Sequence, residues 1–265
     1  MVPMNDTLRE IALFVLDWYK DYGKENLEPE MLFLDELDMS QPEGRFEVLL
    51  LARLFSEYRM KEENAIEIWK EIKSWFHERG YSYQEVFAGE NPDGLEQLSN
   101  LLVELSFPGD LSRFADQMEL LMTRLQTGKI QFAKRGTWAK TVKALEMAFK
   151  GTGIRQKAFW VYRVLKQTGE WDDIPGKFCC VSDRHVKAFL RKSGFVSDPE
   201  EDLFLNSRIM WRYFNEQFEA RYYDLPVFRF SREHGCARCN AAKCSIDRMR
   251  RCVEEKRRQS SSVEL

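Results

Sequence analysis

Apolar residues in this chain recur at intervals of three and four for almost its whole length, which puts them on one face of an α-helix. The segments Thr7 to Tyr22, Glu43 to Tyr58, Glu62 to Glu78, Gly94 to Leu105 and Leu111 to Leu125 carry this spacing. So do Thr137 to Phe149, Ile154 to Gln167, Asp183 to Lys192 and Pro199 to Tyr222. Gly23, Gly80, Gly128, Gly151, Gly169 and Gly194 fall just past the segment ends, where a helix closes most easily on a left-handed residue. Asp6 and Asp110 stand where N-caps belong. There is no alternating strand series and no internal repeat. The expected fold is all-α, with roughly ten helices.

Three stretches interrupt the helical pattern. "EWDDIPGKFCCV", Glu170 to Val181, reads as an irregular connection that ends in a strand-like run. A cysteine-rich segment follows near the end of the chain. The last residues, Glu254 to Leu265, are expected to be disordered, because they offer almost no apolar surface to bury.

The length of 265 residues, 44% of them hydrophobic, allows one large domain or two intimate subdomains. No run approaches the ~18 apolar residues that span a membrane. "MVPMNDTLREIALFVLDWY" reads as an acidic amphipathic helix rather than a signal peptide. The expected location is therefore intracellular, in the cytoplasm. Charged residues make up 31%, a surplus that suits either a thermophilic source or a nucleic-acid surface. The net charge of −3 hides an asymmetry: residues 1–100 carry 22 acidic and 10 basic side chains, and residues 101–265 carry 21 and 30. From Lys134 to Arg163 there are eight basic residues against Glu146 alone. A local basic belt of this kind can bind polyanions, although charge alone equally describes a solvated helix face.

Within that belt lies "FKGTGIRQKAFWVYRVLKQTG", Phe149 to Gly169. One helix ends at Gly151, and Gly153 opens the next, with Lys157 expected one turn in. Two helices joined by a tight glycine turn form a helix-hairpin-helix. Its outward N–H groups suit phosphate, and glycine lets a DNA backbone come close. Lys150 and Arg155 would add charge. Downstream, "SDRHV", Ser182 to Val186, sets an aspartate at a helix start.

Taken in order, these elements resemble the HhH-GPD superfamily of DNA glycosylases. "GIRQKA", Gly153 to Ala158, is similar to that family's hairpin, and "SDRHV" to its aspartate motif. Asp-Arg-His is the form associated with archaeal 8-oxoguanine DNA glycosylase/AP lyases. "FEVLLLARLFSEYRMKEENAIEIWKEI", Phe46 to Ile72, resembles the opening of the family's helical domain. Arg155 stands where the family's second hairpin glycine is expected. Lys157 and Asp183 are 26 positions apart. The archaeal branch also has a long interval, with "DIP" before the aspartate, as at Asp173 to Pro175 here.

The resemblance implies a helical subdomain over 44–165 that ends in the hairpin. It implies a second subdomain from 1–43 and 166–253. The implied partner is double-stranded DNA with a damaged base, bound by a monomer in the nucleoid, with Lys157 facing Asp183. Lys150, Gly151, Gly153, Arg155 and Arg184 are the implied DNA contacts. Breaking an N-glycosidic bond builds positive charge on the sugar, and a carboxylate such as Asp183 would stabilise it or activate the nucleophile. A desolvated Lys157 would attack C1′ as a neutral amine and form a Schiff base. The target base must first leave the stack.

Each residue also has a plainer reading. Asp183 is in form an N-cap, and Lys157 a phosphate contact or an exposed helix residue. Lys140, Lys143 and Lys150 are rival nucleophiles. His185 reads as a structural hydrogen bonder, and Trp138 and Trp160 as core or base-pocket residues. Other classes stay open: a monofunctional glycosylase for uracil, hypoxanthine or alkylated bases, a non-catalytic helix-hairpin-helix module, or a metal-stabilised interaction protein.

Cys236, Cys239, Cys244 and Cys252 form the pattern C-x2-C-x4-C-x7-C. Such clustering in an intracellular chain points to a metal rather than disulfides. Four thiolates hold either zinc or a [4Fe–4S] cluster. Many HhH-GPD glycosylases carry a C-terminal cluster loop, C-x6-C-x2-C-x5-C. That resemblance favours the cluster, with zinc as the alternative. Arg229 stands at the family's first ligand position, which makes Cys252 the fourth ligand. Cys179 and Cys180 are expected to be packing residues.

Overall fold

A computed structural model describes residues 6–25, 32–57, 60–197 and 203–261. Among these there is no strand, and the fold is all-α. No described helix is long and apolar enough to cross a membrane. The chain divides into two compact units, residues 1–27 with 175–265, and residues 28–174.

The first unit begins with α1, Asp6–Glu25, which buries Ile11, Ala12, Val15, Leu16 and Tyr19. The second unit follows as α2 (Pro42–Leu54), α3 (Glu62–Arg79), α4 (Tyr83–Phe87) and α5 (Pro92–Glu104). It continues through α6 (Leu111–Gln126), α7 (Trp138–Ala148) and α8 (Ala158–Gln167). The chain then returns to the first unit for α9 (Arg184–Lys192), α10 (Leu203–Phe214), α11 (Leu225–Glu233) and α12 (Ile246–Ser261).

In the second unit, α2 is the central element. Every residue from Phe46 to Leu54 is buried, and the helix packs on α3, α6 and α8. A helix enclosed on all sides must satisfy its polar residues internally. Glu47 accepts from Lys73 Nζ at 3.0 Å and from the Tyr83 hydroxyl at 3.2 Å. Arg53 donates to Gln117 Oε1 at 2.6 Å and pairs with Glu57 at 2.7 Å. The helix starts are read from side chains: Asp110 caps α6 through Arg113 N–H, and Ser82 with Glu85 forms a capping box on α4.

In the first unit, α1 packs against α10, α11 and α12, and α9 against α11. Gly176 lies flat on Trp211 of α10, where a Cβ would stand 2.0 Å from Cζ3. Only glycine fits there without moving the indole.

Several expectations are corrected. Gly23 does not end a helix, because α1 runs through it to Glu25; five buried residues on one face hold the helix, and one exposed glycine does not stop it. The segment expected as one helix over Pro199 to Tyr222 breaks after Phe214. Asn215, fully buried, bonds the main chain of Met210 and Tyr223 and folds the chain back. Pro199 and Tyr58, the ends of two expected helices, lie outside the described residues. The tail expected to be disordered is helical as far as Ser261. Met249 and Val253 anchor α12, and Glu254 pairs with Arg258 one turn on. Residues 262–265 of that tail lie outside the described residues. Short α4 and the helices α11 and α12 were not expected at all.

The buried Glu47 on α2 carries a pH signature. Burial holds the Glu47 carboxyl above its ordinary range, against the lowering effect of Lys73 and Tyr83. The folded state therefore binds this proton more tightly than the unfolded state. Stability from this group is present at low pH and falls as pH rises above 4.5. Urea denaturation of wild type and Glu47→Gln across that range should show the wild type losing stability relative to the variant as pH rises. Parallel curves would contradict this account.

Candidate functional site

The glycine turn lies in the second unit. Gly151 (φ +86°) and Gly153 (φ +79°) both take the left-handed conformation, and both are exposed. Between them Thr152 is fully buried, and its hydroxyl donates to Phe149 O at 2.8 Å. Arg124 of α6 donates to the carbonyls of Ala148 and Lys150, at 2.6 Å each, and fixes the end of α7. The Gln117 amide backs Gly153 so closely that a Cβ there would stand 2.8 Å from Oε1. Since Gln117 is held by Arg53, the turn is tied into the core of α2.

Lys157 is placed differently from the expectation. Arg155–Lys157 forms a single 3-10 turn, and α8 starts at Ala158, so Lys157 is the N-cap residue of α8. It is half-buried, with Nζ 6.0 Å from the Phe55 ring centre. Arg155 turns back on α7, where Nε and Nη2 donate to Glu146 Oε1 at 3.1 and 2.8 Å. Lys143 pairs with the other oxygen of this buried carboxylate at 3.0 Å. Much of the Arg155 charge is thus countered locally, while Lys150 is exposed. Trp160 is buried against Phe33 and Phe55, and so is a core residue. Trp138 is half-buried beside Tyr162 and Trp171.

Asp183 lies in the first unit. It is the half-buried N-cap of α9, and Oδ1 accepts from the N–H groups of His185 and Val186 at 2.9 Å each. The run before it is not a strand. Cys179 and Cys180 are buried, and side chains replace strand partners. Ser207 Oγ accepts from Cys180 N–H at 3.3 Å, Asp224 Oδ1 from Val181 N–H at 2.8 Å, and Ser182 Oγ from Asn206 at 3.0 Å. Arg184 is exposed. Burial holds the His185 imidazole below its usual range, against the raising effect of Asp183. Its Nδ1 is buried without a hydrogen-bond partner.

All four clustered cysteines line one small cavity, also in the first unit, together with Lys192, His234 and Arg248. The loop leaves α11 through Gly235 (φ +62°), and the Cys236 N–H reaches back to Ser231 O at 2.9 Å. Cys239 Sγ accepts from Ala241 N–H at 3.5 Å and from Arg248 at 3.6 Å. The Ala241 N–H, and next the Arg248 and Lys192 charges, hold the Cys239 thiol below its ordinary range. Burial pushes Cys236 up to about 11 and also raises Cys244 and Cys252. Burial lowers His234 to about 4, which leaves its imidazole neutral at physiological pH. Among the described residues, no three His, Cys, Asp or Glu side chains converge tightly enough to hold a single metal ion.

Lys157 thus belongs to one unit and Asp183 to the other. The four cysteines share one cavity, and the glycine turn presents Lys150, Gly151, Gly153 and Arg155 on one exposed stretch. Sequence reasoning missed the side chains that build these sites: Gln117, Glu146, Arg124, Asn206, Asp224 and Lys192. Each reads as an ordinary surface residue by type, and only burial reveals it. No family model matches the chain, and no curated protein or solved structure matches it.

The four thiols should differ in reactivity in the metal-free protein. A short pulse of iodoacetamide at neutral pH is expected to label Cys239 first, at least about tenfold faster than Cys236, because the thiolate is the nucleophile. Peptide mapping reads the order directly, and faster labelling of Cys236 would contradict it.

Proposed function

We propose that this chain is a DNA base-excision glycosylase of the helix-hairpin-helix type, with an associated lyase activity through Lys157. The observation that carries this reading is the turn itself. Two exposed left-handed glycines lead into a half-buried lysine at the start of α8. Bare backbone at that turn admits a phosphate, and the helix N-terminus favours its charge. Lys150 adds a cation on the same stretch.

In this mechanism the Lys157 amine attacks C1′ of a flipped nucleotide. The C–N glycosidic bond breaks, its electron pair leaves with the base, and the base takes up a proton. Loss of the amine proton and opening of the sugar give an imine between Lys157 and C1′. Removal of a C2′ proton then expels the 3′ phosphate by β-elimination. The role of Asp183 is to stabilise the positive charge that grows on the sugar. One carboxylate oxygen is already fixed by two backbone N–H groups, so the group is pre-oriented. The damaged base favoured by the sequence resemblance is 8-oxoguanine.

The cysteine cavity is assigned to a [4Fe–4S] cluster, with zinc as the alternative, held by Cys236, Cys239, Cys244 and Cys252. N–H groups directed at Cys239 Sγ fit a thiolate ligand. Such a group would act structurally, fixing the loop between α11 and α12.

Borohydride trapping on duplexes with 8-oxoguanine, uracil, hypoxanthine, an alkylated purine or an abasic site tests the proposal. A covalent adduct is expected in wild type and none in Lys157→Ala. Asp183→Asn is expected to slow base release about a hundredfold or more. Base release without trapping would instead support a monofunctional enzyme. Salt-sensitive binding with neither release nor trapping would leave a non-catalytic DNA-binding module.

A further inference from the structure

Lys192 ends α9 and is only 8% exposed. Its ammonium donates to the carbonyl oxygens of Cys236 and Cys239. Its own carbonyl accepts the Cys244 N–H at 2.8 Å. It also lines the cavity that the four thiols share. One residue therefore touches the backbone of three of the four cysteines.

The carbonyls take two of the three protons of this ammonium but do not balance its charge. No carboxylate pairs with Lys192 among the described residues. A buried charge without a counter-charge is strongly unfavourable. Four neutral thiols provide none. Four thiolates on zinc(II), or on a [4Fe–4S]2+ core, carry two net negative charges in either case. Each ligating thiol gives its proton to solvent, so the negative charge appears only in the metal-bound form. The other cation at the cavity, Arg248, donates to Cys239 Sγ but is exposed, so water screens its charge.

We propose that Lys192 is the counter-ion and positioning residue of an anionic metal–thiolate centre formed by Cys236, Cys239, Cys244 and Cys252. The inference rests on the metal reading of these cysteines given above, and it is independent of the glycosylase reading. It makes the buried ammonium part of the metal site, although it ligates nothing.

The test uses this whole 265-residue chain, purified anaerobically, as wild type, Lys192→Gln, Lys192→Arg and Arg250→Gln. Iron and zinc are quantified, and release of the bound metal to excess chelator is timed. Lys192→Gln keeps a donor but loses the charge, and should release metal about ten to a hundred times faster than wild type. Lys192→Arg should stay close to wild type, and Arg250→Gln, an exposed cation outside the cavity lining, within about twofold. A second readout is the melting temperature of loaded and chelator-stripped protein. Lys192→Gln should lower Tm in the loaded form only, because the stripped form has no anion for the charge to balance. Wild-type release rates in Lys192→Gln, equal loss in Lys192→Arg, or the same Tm drop in both forms would each overturn the counter-ion role. Absence of metal from wild type, with all four thiols open to alkylation, would instead remove the metal reading itself.

Discussion

Helix α9 is held at both ends by side chains that bond main-chain groups, and it joins Asp183 to the cysteine loop within the first unit. At the N-terminus the Asp183 carboxylate takes two N–H groups that the helix cannot satisfy itself. At the C-terminus the Lys192 ammonium takes two carbonyls of the cysteine loop. An acid at the start and bases at the end both agree with the helix dipole. Between them Val186, Phe189 and Leu190 are buried, with α11 packed alongside. At 1.5 Å per residue, this nine-residue helix sets the two sites roughly 13 Å apart. That separation is fixed by a rigid element rather than by a loop.

The second unit solves a different problem. A glycine turn is useful only if its backbone keeps one shape, and glycine itself supplies no rigidity. Here polar groups from neighbouring helices supply it. Arg53 holds Gln117, which backs Gly153, and Arg124 takes the carbonyls on either side of Phe149. Glu146 anchors Arg155 from beneath. Apart from the exposed bond of Arg124 to the Lys150 carbonyl, these interactions are buried or half-buried, where an unmade hydrogen bond is expensive. The exposed face of the turn is left to Lys150 and bare backbone.

Much of the helical architecture was legible because period and punctuation agreed. The expected Leu111 to Leu125 and the observed α6, Leu111–Gln126, differ by one residue, since Asp110 marks the start chemically. Gly80, Gly128, Gly151, Gly169 and Gly194 do adopt positive φ. Two of the misses share a cause: a tertiary partner overrode the local signal. Asn215 breaks a continuous apolar pattern because its amide finds buried main chain to bond. "CCV" looks like a strand because it is apolar and continuous, yet the Cys179 N–H turns back to the Gly176 carbonyl, and those of Cys180 and Val181 go to Ser207 and Asp224. Lys157 falls one residue before α8 because the turn tightens into a 3-10 step. Lys192 carries no sequence signal of burial, since a lysine in the last turn of a helix is ordinary.

The contact of Gly176 with Trp211 has a consequence for how this fold can vary over evolution. The two positions lie 35 residues apart and share one volume. A side chain at 176 requires a smaller residue at 211, so position 176 cannot drift alone. A side chain at 176 should appear only where 211 is smaller than tryptophan, whatever the chemistry elsewhere. Such coupled positions mark distant kinship after short motifs have blurred, because they record shape rather than reactivity.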